Sequence, residues 1–206
     1  LKSEKEGPFR PHFVSSHDEK VLRRILMRCN PEKTLIIAAS KSFTTIETLR
    51  NAEIARDWLE ASLSKEPARR HLLAVTAKRK KALAWGVRSD CCLDFPDTIG
   101  GRYSISSPVS LIAAAYLGES VFLDFISGMA DMDQHFISAP WDKNLPVIFA
   151  LLAVWSINFL SIPTRAILPY AAELTGFVPY IQQLTMESLG KNKEGLSTGS
   201  ITWGGV

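Results

Sequence analysis

The chain has 206 residues, 46% of them hydrophobic and 22% charged, a balance that excludes a disordered chain and predicts a packed core. That length suits one large domain, or one domain and part of another. Twenty-four basic residues stand against 21 acidic ones, a formal net charge of +3; the surplus is too small to argue for a nucleic-acid partner and does not conflict with a small anionic substrate.

Cys29, Cys91 and Cys92 form no CxxC pair, and adjacent cysteines rarely bridge each other. A reducing, intracellular and cytoplasmic setting is expected. His12, His17, His71 and His135 are scattered without metal-ligand spacing, so surface or hydrogen-bonded histidines are expected and no metal site. The polar start Leu1-Lys2-Ser3-Glu4 has no signal-peptide pattern, and the missing Met marks a processed or cut piece. Residues 145–162 approach the ~18-residue length of a membrane span. They contain Pro146, Ser156 and Asn158 and stand alone, which favours a fully buried core helix and no membrane.

Taken in order, Phe13-Val14 suits a short strand after a polar start. A helix follows over 19–29, with Val21, Leu22, Ile25 and Leu26 on one face, ended by Asn30-Pro31. Residues 34–39 are apolar on both faces and suit a central parallel strand. Thr44 and Glu47 have capping-box spacing at the start of a helix to about Ala61. A second strand is predicted over 71–76, and the basic run Lys78-Arg79-Lys80-Lys81 reads as a solvated helix start before a short helix at 82–87. A third strand covers 91–95, closed by Pro96. Strands alternating with helices predict an α/β sandwich around a parallel sheet.

Beyond residue 107 the pattern turns helical. Helices are predicted over 108–117, over 120–137 with a break near Gly128, and over 145–162 after a turn at Asp142-Lys143-Asn144. Residues 165–170 resemble a strand restarting the α/β rhythm, 177–189 a helix, and 201–203 a strand in a glycine-rich tail. The expected domains are 1–140, an α/β domain incomplete at its N-terminal side, and 141–206, a linking helix and the truncated start of a second α/β domain.

Three stretches carry candidate chemistry. Ser40-Lys41-Ser42-Phe43-Thr44-Thr45 follows a strand, where ligands of parallel sheets gather. It offers four hydroxyls, an amine and helix-start N–H groups, the donors a phosphate monoester needs; a simple cap explains Thr44 equally well. Asp97-Thr98-Ile99-Gly100-Gly101-Arg102-Tyr103-Ser104 sets a permanent planar cation on a loop. Its glycines allow a tight turn, and Ser104 and Ser106 before a helix allow an anion at its N-terminus. A turn with a surface arginine is the plainer alternative. Glu187, in Gln183-Leu184-Thr185-Met186-Glu187-Ser188, is either a surface acid or a base. A fixed carboxylate and a loop arginine are the two groups that metal-free proton abstraction beside a carbonyl requires.

Together these stretches resemble the glucose-6-phosphate isomerase family. Residues 97–108 match one family signature almost position for position, and residues 40–45 resemble its SKTFTT loop with Ser42 for threonine. Met132-Asp133-Gln134-His135-Phe136 and residues 183–191 match as well, so the similarity covers nearly the whole chain. The resemblance implies sugar-isomerase (SIS) type three-layer α/β domains and a cofactor-free interconversion of glucose 6-phosphate and fructose 6-phosphate, a step of glycolysis and gluconeogenesis. It makes Glu187 the base between C1 and C2, and Arg102 with Gly101 the stabiliser of the enediolate. Ser40, Lys41, Ser42 and Thr45 would hold the phosphate, and Gln183 would contact the sugar. It also implies a homodimer.

Leu189 departs from the asparagine usual in the family. A glycine-rich phosphate loop upstream, a histidine segment downstream and a further lysine belong to the family pattern and are not in this sequence. The parent protein is therefore expected to be active and this piece alone inactive. A non-catalytic phosphosugar-binding module on the same fold is the alternative, and an interaction or signalling role is neither favoured nor opposed by any residue.

Overall fold

The computed structural model describes residues 9–15, 18–162 and 164–188; the side chains of residues 187 and 188 fall outside that description. The chain forms two compact units, one spanning Gly7–Phe122 and the other taking in the chain from Leu123.

The first unit is built on a three-stranded parallel sheet of order β1 (Ile36–Ala39), β2 (Leu72–Thr76), β3 (Cys92–Asp94). Ala74 is paired on both sides, with Ala38 and with Cys92. Leu72, Ala74, Val75 and Thr76 have almost no exposed surface. This is why the central strand reads as an unbroken apolar run: both faces and both edges are covered.

Helices connect the strands in the expected α/β rhythm. α1 (Glu19–Leu26) starts at Asp18, whose carboxylate accepts the Lys20 N–H, and buries Leu22 and Leu26 against Ile54 and Ala55. α2 (Ile46–Leu63) links β1 to β2, followed by the short α3 (Lys65–Ala68). α4 (Arg79–Trp85) links β2 to β3 and stops at Gly86, whose φ of +117° is open to glycine alone at little cost. There the Val87 N–H reaches back to the Ala82 carbonyl at 3.1 Å. α2 and α4 share one core with the sheet, made of Ala38, Phe43, Ala52, Ala74, Ala82, Val87 and Cys92. A second core joins Leu59, Ala68 and Leu72.

Several boundaries differ from expectation. Phe13-Val14 is not a strand; Val14 packs beside Leu22 and Leu26 instead. The predicted helix over 108–117 is a 3-10 turn, Pro108–Ser110, followed by α5 (Leu111–Leu117), which ends at Gly118 with φ +88°.

In the second unit, α6 (Glu119–Ser138, entered from the first) runs through Gly128 without a break. One glycine costs a helix only about 1 kcal/mol, too little to interrupt 20 residues. The connection to α7 (Leu145–Asn158) is held by Asn144 and His135. Buried Asn144 donates from Nδ2 to the Phe136 carbonyl at 2.8 Å and accepts the Val147 N–H on Oδ1, while His135 Nε2 accepts the Leu145 N–H at 3.1 Å.

α7 corrects two expectations. It ends at Asn158 rather than Ile162, and it is not buried: Phe149 is 59% exposed and Leu151 62%. A helix apolar all round needs neighbours all round. Among the described residues α7 has few; the Arg165 guanidinium lies over the Phe149 ring, 4.3 Å from its centre. No helix of the described residues is long and apolar enough to cross a membrane. Residues 165–170, expected as a strand, are irregular except for a bend at Tyr170. A parallel strand exists only through its ladder to another strand, and among the described residues the sheet holds β1 to β3 alone. α8 (Phe177–Ser188) agrees with expectation to within one residue. The strand expected at 201–203 lies outside the described residues.

Leu59 has no exposed surface. Leu59→Ala is expected to destabilise the fold by about 2–5 kcal/mol, read as a lowered urea midpoint with an unchanged slope.

Candidate functional site

The chain leaves β1 at Ala39 and enters α2 through Ser40–Thr45. The loop is fastened to the end of β2 by its backbone. The Ser40 N–H donates to the Val75 carbonyl at 3.0 Å, and the Lys41 carbonyl accepts from both the Ala77 N–H and the Thr76 hydroxyl, each at 3.1 Å. Phe43 has φ +47°, a costly conformation for a bulky residue. It persists because the ring is 3% exposed and sits edge-on to Trp85, their centres 6.1 Å apart. Trp85 is held in turn by Arg56, whose guanidinium lies 4.5 Å from its ring centre and donates to its carbonyl at 3.2 Å. Phe43 is thus the loop's inward anchor, flanked by half-buried Ser42 and exposed Thr44, while Ser40 at the loop's start is itself buried.

The loop's hydroxyls cluster. The Ser40 and Thr45 hydroxyls hydrogen-bond at 3.1 Å, and the Thr44 hydroxyl donates to that of Ser42 at 2.7 Å. The expected Thr44–Glu47 capping box does not form. α2 begins at Ile46, so Thr45 is its N-cap, and the Thr45 side chain makes no capping bond. Ser40, Lys41, Ser42 and Thr45 therefore share one loop at the N-terminus of an 18-residue helix left without a side-chain cap, where the partial positive end of the helix favours an anion.

The basic run after β2 is more than a solvated helix start. Lys81 Nζ donates to the Ser42 carbonyl at 3.3 Å. Arg79 donates to the Cys92 carbonyl and the Asp94 carboxylate, both at 2.9 Å, and to Ser89, fixing the entry to β3. Lys78 Nζ bonds Asp97 Oδ2, while Lys41 Nζ stands 3.9 Å from Asp97 Oδ1. The Lys78 hydrogen bond, supported by the charge of Lys41, holds the Asp97 carboxyl below its ordinary range. A carboxyl held low in the fold contributes stability above its unfolded pKa and loses it only as pH falls through the lower folded value. The contact is therefore intact at neutral pH.

Gly100 caps, with φ −67°, a 3-10 helix over Gly101–Ser106. The expected tight turn forms here, closed by the Tyr103 N–H on the Gly100 carbonyl at 3.0 Å, although neither glycine uses a positive φ. A Cβ on Gly100 would press within 3.2 Å of the Tyr103 ring, whereas one on Gly101 would meet nothing within 4 Å. Among the described residues nothing lies close enough to require glycine at 101, and half-buried Arg102 follows it. Ser104 does not await an anion: it is buried, and its hydroxyl donates to the Gly101 carbonyl at 2.5 Å.

Gln183 and Glu187 lie on α8, in the other compact unit, about one helical turn apart. Gln183 is exposed; the Glu187 side chain lies outside the described residues. Among the described residues no group of three or more His, Cys, Asp or Glu could hold a metal ion. Burial pushes the Cys91 and Cys92 thiols up, away from thiolate chemistry. The His71 Nδ1 is hydrogen-bonded to the Thr34 carbonyl at 2.8 Å.

Sequence spacing misses Phe43 as an anchor and the meeting of Lys78, Lys41 and Asp97. Lys41 and Asp97 stand in stretches with candidate chemistry and Lys78 in a run read only as a helix start; 56 positions separate Lys41 from Asp97, and only the sheet order brings strand ends together. The phosphoglucose isomerase family model matches residues 1–206. The chain is 42% identical to a glucose-6-phosphate isomerase of Bartonella bacilliformis, over 99% of this chain and 38% of that protein. It is 43% identical to one of Hydrogenovibrio crunogenus, over 97% and 38%. Among solved structures it resembles a glucose-6-phosphate isomerase of Chlamydia trachomatis (TM-score 0.79, 30% identity, 97% of this chain and 40% of that one). It also resembles a hypothetical protein of Thermus thermophilus (0.77, 29%, 94% and 46%). The chain thus spans about two fifths of the length of the curated relatives it matches. With its whole length matched and its α/β fold shared, this chain belongs to the phosphoglucose isomerase family.

Proposed function

We propose that the complete protein interconverts glucose 6-phosphate and fructose 6-phosphate by cofactor-free proton transfer, in the cytoplasm and as a homodimer. The observation that carries this is the Ser40–Thr45 loop: clustered hydroxyls and Lys41 at an uncapped helix N-terminus. These are donors matched to a phosphate monoester. The relatives, glucose-6-phosphate isomerases, supply the sugar.

In this proposal Ser40, Lys41, Ser42 and Thr45 hold the phosphate and Gln183 contacts the sugar. Glu187 takes the proton from C2 of the open-chain aldose as the C1 carbonyl becomes an enediol oxygen. Returning the proton to C1, while the C2 hydroxyl loses its proton to become the carbonyl and the C1 oxygen takes one up to become a hydroxyl, gives the ketose. No electrons leave the substrate. Arg102 offsets the developing negative oxygen, a term worth roughly 10²–10³ in rate for one well-placed donor. The open side of Gly101 lets substrate approach the backbone beside that cation. The 206-residue chain alone is expected to be inactive, because it spans about two fifths of its relatives' length and the family resemblance implies further site segments outside it.

Glu187→Gln in the complete protein is expected to lower kcat by about 10²–10⁴ and to abolish exchange of the C2 hydrogen with solvent. Retained exchange would count against Glu187 as the base. Phosphosugar binding by calorimetry with no turnover in the unmutated protein would favour the non-catalytic module. Arg102→Lys should lower kcat by about 10² with little change in KM, since a compact ammonium cannot replace a planar fork.

A further inference from the structure

Asp97 has no part in the chemistry above, yet it is where three strand-end segments converge. The first follows β1 and holds Lys41; the second follows β2 and holds Lys78; the third follows β3 and runs through Asp97 to Arg102. The Asp97 carboxylate offers one oxygen to each lysine, Oδ2 to Lys78 and Oδ1 to Lys41 at 3.9 Å.

Each partner stands on a fixed backbone. Thr76, with no exposed surface, donates its hydroxyl to the Lys41 carbonyl and accepts the Lys78 N–H at 3.0 Å. Asp97 sits inside a turn closed by the Ile99 N–H on the Pro96 carbonyl at 3.1 Å. Gly100 follows, and the Tyr103 N–H returns to its carbonyl at 3.0 Å, winding Arg102 into the 3-10 helix. Asp97 and Arg102 thus stand at the two ends of a six-residue segment with a backbone hydrogen bond on either side of Gly100.

Charge points the same way. Lys41, Lys78 and Lys81 outnumber Asp97 and Glu47, the acid in the first turn of α2, which leaves a positive surplus around the loop that suits an anion such as a phosphate monoester. Lys41 is shared between that anion and Asp97, so filling the loop changes what Asp97 feels.

We propose that Asp97 is a positioning residue that couples anion binding at Ser40–Thr45 to the placement of Arg102 through its bridge to Lys78 and Lys41. The proposal rests on the phosphate role given above to the Ser40–Thr45 loop. Exposed ion pairs contribute little to stability, and Asp97 and Lys78 are each about half exposed. The effect should therefore appear in coupling and turnover, not in melting temperature.

The test uses the complete protein, inorganic phosphate as probe, and the variants Asp97→Asn, Asp97→Glu and Lys78→Met. Amide hydrogen exchange of residues 96–106 is followed with and without saturating phosphate, beside calorimetry and steady-state kinetics. Phosphate should slow exchange of 96–106 in the unmutated protein. Asp97→Asn and Lys78→Met should still bind phosphate but lose that protection, with kcat down about tenfold and KM within about threefold. The double variant should be no worse than either single one, and Asp97→Glu should restore part of the loss. Equal protection in Asp97→Asn, or phosphate bound by the unmutated protein without any protection of 96–106, overturns the coupling alone. So does a loss confined to KM, or a double variant whose loss is the product of the singles. No phosphate binding by the unmutated protein overturns the phosphate role of the loop and the coupling with it.

Discussion

The Lys41 carbonyl, held at once by the Ala77 N–H and the Thr76 hydroxyl, is the joint on which the candidate anion site depends. A loop carrying four hydroxyls and an amine has little reason by itself to hold one shape, since each residue fixed costs about 1–2 kcal/mol of backbone entropy. Here the cost is offset by bonding the loop to the end of a strand buried at every position but Leu73. Thr76 is a polar residue at the end of that strand, 0% exposed, and a buried hydroxyl must find a partner. Its partners are Lys41 on one side and the Lys78 N–H on the other. The strand that stabilises the core thereby also registers two loops against each other.

Phe43 completes the fastening from the opposite side. Its left-handed backbone is a strain of order 1–3 kcal/mol, tolerated because the ring fills a core position against Trp85. The strain and the burial act together. Half-buried Ser42 and exposed Thr44 flank that inward residue, with their hydroxyls bonded to each other.

The basic run 78–81 shows how one segment can do several unlike things. Arg79 serves architecture, bonding the Cys92 carbonyl and Asp94. Lys81 braces the Ser42 carbonyl, and Lys78 faces Asp97. A count of positive charges treats these side chains alike; their partners lie on three different segments. The second unit gives the converse case in α7, a helix whose composition demands burial and whose apolar side chains are largely exposed. Hydropathy states the requirement and does not name the neighbour that meets it.

The alternation of apolar runs and amphipathic helices was enough for the α/β class, the three strands and most helices to within one to three residues, because burial period and chain stops are local properties. The same held for the hydroxyl-rich loop and for the Gly-Gly-Arg stretch as candidates. Locality is also where it failed. The 165–170 strand and the Thr44 cap satisfied local rules, but a strand needs a partner edge, and the helix begins one residue later, with Thr45 at its N-cap. The sequence by itself determined which residues could bind an anion and which had to be buried. Only tertiary structure decided that Lys41, Lys78 and Asp97 meet, because parallel strand order brings distant strand ends side by side and no spacing along a chain encodes that proximity.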